Sequence, residues 1–345
     1  MNQAEQFLRA CRRQPVDCTP VWFMRQAGRY QPAYQAIRAD HTILEIIDSA
    51  ELSARVTMLP IEQMAVDAAI IFADILPPLV PMGMNLEFAR GEGPVLHNPL
   101  RSRSDIEALS SYDPADKLRP TLDAIRSVRD QLGDRAAMVG FAGGPFTLAS
   151  YAIEGGSSRN YIHTKSLMYG DPDTWHLLMQ KLGQVTSDYL VAQVEAGAQA
   201  VQLFDSWAGM LSPDDYRRFV LPVTRDIIAT VKQTGVPTIL FGTNTSGMLD
   251  VIAGAGSDVV GVDWRIDLDR GWEMIGHDRA VQGNLDPIAL FAPLEEVRRQ
   301  VQAILDRAAG RPGHIFNLGH GVVPNTPVET VTAVADMVHE LSARH

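Results

Sequence analysis

The chain has 345 residues, 46% hydrophobic and 21% charged, the balance of a globular protein able to bury a full core in one large or two modest domains. A net charge of -11 excludes a broad nucleic-acid-binding face, and the longest apolar stretch, "AAIIFADILPPLVPMGM", is too interrupted by Asp74 and three prolines for a membrane span. Two cysteines, Cys11 and Cys18, are too few for a disulfide framework and lack zinc-site spacing; with no signal-peptide core near the N-terminus, a cytoplasmic protein is expected.

In chain order, eight short runs rich in apolar and β-branched residues read as strands: "TPVWFM", "AAIIFADI", "AAMVGFAGG", "AVQLFDSW", "PTILFGTN", "DVVGVDW", "AVQGNLD" and "HIFNLGH". Helical patterns lie between them. In "SPDDYRRFVLPVTRDIIATVKQTG", Ser212 can N-cap, Pro213 fits the first turn and Gly235 suits the stop. Near the C-terminus Thr326 is the expected cap, with Pro327 at the first helical position and Glu329 completing a capping box. Strand then helix, eight times, predicts a single-domain (β/α)8 TIM barrel over residues 1–345. An open doubly wound sheet is the alternative, but no GxGxxG fingerprint follows the first strand. Residues 97–135 and 153–180 read as added helices and loops.

Functional side chains of such a barrel project from the C-terminal strand ends. Strand one delivers Arg25 and Arg29, and strand two ends in Asp74. The third leads through Gly143, Gly144 and Pro145 towards Tyr151. Asp205 and Ser206 end the fourth, Asp263 the sixth, Asn284 and Asp286 the seventh, and His320 the eighth.

"FMRQAGRYQPAY", "FADIL", "GFAGGPFTLASY", "FDSWAG" and "NLGHGV" together resemble the uroporphyrinogen decarboxylase family, in the right order over nearly the whole chain. The resemblance implies a (β/α)8 homodimer that removes four carboxyl groups from uroporphyrinogen to give coproporphyrinogen without a cofactor or metal. It assigns Arg25, Gln26, Ala27, Gly28 and Arg29 to a substrate-binding loop and Asp74 to the pyrrole nitrogens. Tyr151, Ser206 and His320 become further substrate contacts, and Arg38 a carboxylate partner.

Those residue types suit the chemistry. A substrate with eight carboxylates needs guanidinium forks. Arg25 and Arg29 would share a face if their segment is helical, and Arg38 reaches the same rim only if the turn at Pro32 folds back. Asp74, set among Phe72, Ile75 and Leu76, is a carboxylate that burial would tend to neutralise and a nearby arginine would keep charged. Arg25 and His320 are both candidates to donate protons, neither decided by sequence. Two rival readings share the barrel. Zinc-dependent methyltransferases resemble it in fold but need thiolate and histidine ligands, and no cysteine lies beside His320. A phosphate-binding enzyme could use Gly319 and Gly321 but leaves "MRQAGRY" without a role. A non-catalytic tetrapyrrole carrier would keep the arginines without needing Asp74.

Overall fold

The computed structural model describes residues 1–89 and 93–344. Among these, seven strands form one parallel sheet: β1 (Ala68–Ile70), β4 (Ala137–Gly143), β5 (Ala200–Phe204), β6 (Thr238–Phe241), β7 (Val259–Gly261), β8 (Ala280–Gln282) and β9 (His314–Ile315). Each pairs with the next along the chain, as in Ala68 with Ala137 and Val139 with Ala200. The intervening strands β2 (Leu86–Ala89) and β3 (Gly93–Leu96) form a separate antiparallel hairpin, which the sequence reading did not anticipate.

The eighth barrel position is filled by Pro20–Trp22. Phe316 N–H donates to the Pro20 carbonyl at 2.8 Å, Trp22 N–H to Phe316 O at 3.3 Å, and Asp67 N–H to Val21 O at 2.8 Å. These bonds join β9 to the approach of β1 and close the barrel. The expected first strand is therefore reduced to the single bridge Val21–Phe316. Side chains have taken the N–H groups that a longer ladder would use: Val21 donates to Asp67 Oδ2, Phe23 to Gln26 Oε1 and Met24 to Asn317 Oδ1.

The barrel interior is apolar at its N-terminal end. Ala68, Val139, Ala200, Ile239, Val259, Ala280 and Ile315 form one buried cluster with Trp22 and with Phe7, Ala10 and Cys11 of helix α1 (Gln3–Cys11). Asn2 caps that helix by accepting the Glu5 N–H at 2.8 Å. Ala4, Phe7, Ala10 and Cys11 then share one face by helical spacing, and α1 plugs the barrel. Burying Phe7 stabilises by about 2–3 kcal/mol. Above the plug runs a polar thread: Trp22 Nε1 donates to Gln282 Oε1 and Gln282 Nε2 to Gln202 Oε1, each at 3.0 Å.

Two helix expectations are corrected. The pattern over 212–235 splits into Pro213–Phe219 and Leu221–Lys232, because Pro222 has no N–H to continue the first helix; Ser212 does cap it, accepting from Asp215 N at 3.1 Å. The final helix, Val328–Ser342, has Pro327 as its N-cap. Buried Thr326 turns its hydroxyl back to donate to the Val323 carbonyl at 2.8 Å, so the capping box with Glu329 does not form.

Candidate active site

The segment after Val21 is a pair of tight turns. Gln26 N–H donates to Phe23 O and Gln31 N–H to Gly28 O, each at 3.0 Å. Arg25 has φ of 60°, in the left-handed region, so it and Arg29 do not share a helix face as expected. What organises the loop is the buried Gln26 side chain, accepting from Phe23 N–H at 3.0 Å and donating to the Ala68 carbonyl at 2.9 Å. Tyr30 braces the same residue by donating to Gln26 O at 2.7 Å. Gln26 is thus committed to the scaffold. Arg25 stays exposed, its aliphatic stem lying across Gly321. Ala27 packs with Tyr34, Ile37 and Val56, while Gly28 donates its N–H to Gln31 Oε1 at 3.1 Å.

The chain does fold back at Pro32, which opens helix α2 (Pro32–Asp40). Arg38 hydrogen-bonds the His41 carbonyl and lies near Tyr34, as does exposed Arg29. Burial pushes the Tyr34 pKa up and the two guanidiniums oppose it. The Tyr34 ring sits 5.4 Å from Phe72, so this cationic pair is tied to the strand end that carries Asp74.

Asp74 lies half-buried beyond β1. Its Oδ1 accepts the Leu76 N–H at 3.0 Å, an Asx turn leading into Pro77–Leu79; Oδ2 takes no hydrogen bond from a described residue. Thr57 and Ser53 fix the approach to it: Phe72 N–H donates to Thr57 Oγ1 at 2.8 Å, and Ser53 Oγ to Phe72 O at 2.7 Å. Burial raises the Asp74 pKa above the usual carboxylate range, against the pull of the Leu76 N–H, the Arg25 charge and the Ile75 N–H.

The charge of Arg25 also bears on Tyr151 and His320. The Tyr151 hydroxyl is pushed up to about 12, by burial first and by Asp74 second, with Arg25 opposing; it remains a neutral donor beside the carboxylate. Its ring stacks on Trp207 at 4.0 Å. His320 is pushed down to about 4 by burial, then by Arg25 and Arg265, with Asp263 opposing. Its Nδ1 accepts the Gly321 N–H at 2.6 Å, leaving the neutral ring's proton on Nε2. A ring that is neutral above about pH 5 holds no spare proton to donate near neutrality, which weakens His320 as the acid. Phe141, Phe204 and Phe241 follow one another at 5.4 and 5.9 Å, and Phe241 meets His320 at 6.4 Å. This aromatic row gives the mouth an apolar floor.

Asp263, Asn284 and Asp286 hold the rim. Asp263 Oδ2 binds Arg265 Nη1 at 2.7 Å and accepts the Asn244 N–H at 2.6 Å. Asn284 Nδ2 donates to the carbonyls of Asp263 and Ile266, and Asp286 caps the turn at Ile288. The Ser206 carbonyl accepts from Thr243 Oγ1 at 2.6 Å. Sequence reasoning passed over Trp207 and Arg265 because each adjoins a more conspicuous polar residue. Among the described residues, Arg25, Arg29 and Arg38 have no carboxylate within ion-pair distance, in contrast to Arg265. Three arginines without an ion-pair partner among the described residues, an apolar aromatic row and the Asp74 carboxyl are thus the features at and near this end of the barrel.

The family model described as uroporphyrinogen decarboxylase (URO-D) matches residues 2–341. The chain belongs to the uroporphyrinogen decarboxylase family. It is a carboxy-lyase of porphyrin biosynthesis, as its relatives are. A uroporphyrinogen decarboxylase of Roseiflexus sp. (strain RS-1) is 58% identical over 98% of each chain. One from Sorangium cellulosum (strain So ce56) is 55% identical over 98% of this chain and 96% of its own. Among solved structures, a methyltransferase from Methanosarcina mazei superposes with a TM-score of 0.85 at 20% identity, covering 99% of both chains. A B12-independent methionine synthase from Shewanella sp. W3-18-1 gives 0.56 at 11% identity, over 86% of this chain and 89% of that one. These likenesses are of fold alone. For the methyltransferase reading the donors do not fit: Cys11 is buried in the α1 plug with its thiol pushed up by burial, and no described cluster of three His, Cys, Asp or Glu could hold a metal.

Proposed function

We propose that this one catalytic domain, residues 1–345, removes the four acetate carboxyls of uroporphyrinogen III in turn, without a cofactor, giving coproporphyrinogen III. The observation that carries the residue assignment is that Arg25, its stem lying across Gly321 beside His320, stands where its charge bears on Asp74, Tyr151 and His320. Loss of carbon dioxide directly from a pyrrole acetate would leave a poorly stabilised carbanion. Protonating a ring carbon first makes a cationic pyrrole. The electrons of the breaking C–CO2 bond then flow into that ring, giving an exocyclic methylene. A second proton converts the methylene to methyl, and the ring proton leaves, so each cycle consumes one proton and releases one carbon dioxide.

In this reading Asp74 accepts hydrogen bonds from the pyrrole N–H groups and stabilises the cation more in the transition state than in the ground state. Arg25 binds the reacting acetate and is the candidate proton carrier. Its ordinary acidity is very weak, so a proton relayed from water or a substrate carboxyl across Arg25 fits the chemistry better than one lost from the guanidinium itself. The loop from Arg25 to Arg29, with Arg38, receives the outer carboxylates, and Tyr151, Ser206 and His320 Nε2 supply neutral donors. The same proposal includes a homodimer, an expectation inherited from the family, and a cytoplasmic location, expected from the cysteine usage and the N-terminal sequence.

Anaerobic incubation of metal-stripped protein with uroporphyrinogen, followed by separation of the oxidised porphyrins, tests it. Stepwise seven-, six-, five- and four-carboxyl products are expected. Binding without carboxyl loss would instead favour a carrier. Sedimentation of the same sample checks the dimer.

A further inference from the structure

Asp205 is 1% exposed, and no described arginine or lysine lies within ion-pair distance of it. Its Oδ1 accepts two hydrogen bonds from one residue: Thr147 N–H at 2.8 Å and Thr147 Oγ1 at 2.7 Å. Thr147 is the third residue of the helix Pro145–Glu154, whose N-cap is Gly144 and lacks a side chain to cap with. A carboxylate from the neighbouring strand end therefore does the capping. It satisfies an orphan N–H and sets negative charge at the positive end of the helix dipole. The fit is close, since a Cβ on Gly144 would stand 2.3 Å from Asp205 Cβ.

The same threonine holds a second element. Having donated to Asp205, its hydroxyl accepts the Trp207 N–H at 3.1 Å. One turn along the helix from Thr147 stands Tyr151, and the Trp207 indole stacks on its ring at 4.0 Å with 28° between the planes. Tyr161 meets the indole edge-on at 5.3 Å. Both supports of Tyr151, its own helix and the stacked indole, thus hang on one carboxylate. Oδ2 of Asp205 is buried without a partner, an arrangement that costs stability and that simple packing does not call for.

We infer that Asp205 is a positioning residue for the decarboxylation, fixing the helix and Trp207 through Thr147 and, through both, the Tyr151 hydroxyl beside Asp74. The inference rests on the proposed role of Tyr151 as a substrate contact.

Its test is a mutant cycle on the anaerobic reaction, reading kcat, KM and the mixture of partly decarboxylated intermediates. Asp205→Ala should lower kcat/KM by about ten- to a hundred-fold, the scale of a 1 Å misplacement, and let seven- to five-carboxyl intermediates accumulate. Asp205→Asn keeps the Oδ1 acceptor and should regain most of that loss. Thr147→Val keeps the helix N–H bond to Asp205 but loses both hydroxyl bonds, the one to Asp205 Oδ1 and the one from Trp207 N–H, and should fall between them. Tyr151→Phe should lose activity too, and Asp205→Ala added to it should cost little more, since residues acting through one another are not additive. A fully additive double variant, or Asp205→Ala with wild-type kinetics and intermediates, would overturn the inference. An inactive wild type would refute the functional reading instead. The near-ultraviolet circular dichroism of the Tyr151–Trp207 stack would then decide: lost in Asp205→Ala and kept in Asp205→Asn if Asp205 positions it, unchanged in both if it does not.

Discussion

Arg25 and Gly321 interlock. A Cβ at position 321 would stand 2.5 Å from Arg25 Cδ and 2.7 Å from Cγ, so the absence of a side chain there is what lets the arginine cross from the first barrel segment to the last. Gly321→Ala should displace Arg25 while leaving the core intact. The expected result is a fall in kcat/KM of about ten- to a hundred-fold, with Tm changed by only a few degrees. A wild-type rate would mean that Arg25's course over Gly321 is immaterial to turnover.

Asp74→Asn preserves shape and removes charge. If the carboxylate stabilises a cationic pyrrole, kcat should drop by about 10²–10³ or more. The affinity for coproporphyrinogen, which has no acetate left to lose, should change by only a few-fold. Single-turnover rates and product binding measured on the same preparation separate the two effects, and unchanged turnover would remove Asp74 from the mechanism.

At the barrel seam His339 Nε2 lies 2.7 Å from Oδ2 of fully buried Asp67, which also accepts the Val21 N–H. Burial pulls the His339 pKa down, but the hydrogen bond and charge of Asp67 outweigh it and the net shift is upward. The histidine's contribution is therefore present below the ordinary histidine value while Asp67 stays ionised, and is lost as pH rises through the folded one; burial raises the Asp67 pKa, so its protonation ends the pair from the acid side. Removing one partner of a buried pair costs about 3 kcal/mol. Urea titration should find His339→Ala destabilised by that order at pH 6, and by less at pH 8.5. An equal loss at both pH values would show that the histidine acts by packing alone.

His314 works in the opposite sense. It is buried, donates from Nε2 to the Gly283 carbonyl at 2.9 Å, and burial pushes its pKa down to about 4 while that bond opposes. Between about pH 6.5 and 4 the unfolded chain takes up a proton that the folded chain refuses, so stability is lost as pH falls across that window. His314→Gln should narrow the gap between stabilities measured at pH 7.5 and pH 5. His320, equally depressed, should show no ionisation in activity near neutrality. The rate ratio of wild type to His320→Asn should stay constant from pH 6 to 8, and a ratio that varies would restore His320 as the acid.

Asp74 stood out in the sequence as a charged residue between Ile71-Phe72 and Ile75-Leu76, and the structure gives it a turn-forming bond as well, from the Leu76 N–H to its Oδ1. The later strands were readable for a related cause: "AAMVGFAGG" and "PTILFGTN" combine β-branched or apolar runs with abrupt polar ends. "TPVWFM" has the same composition, yet forms only one bridge, because Asp67, Gln26 and Asn317 capture its N–H groups. Two of those captures come from residues 46 and 293 positions away and leave no local trace. Trp207 was hidden for the same kind of reason. An aromatic after a strand looks like core, and only the pairing of β4 with β5 brings it over Tyr151.

The seam that closes the barrel joins Val21 to Phe316. On the ribosome these two residues are born at opposite ends of translation, and the sheet stays an open fan until the last strand emerges. Until then the Pro20 carbonyl and the Trp22 N–H lack their Phe316 partners, and Asp67 lacks His339. Such a distant pairing makes closure slow and leaves an unpaired edge exposed to other chains, so the nascent protein's hazard lies at the seam that leads into Arg25 and Gly321.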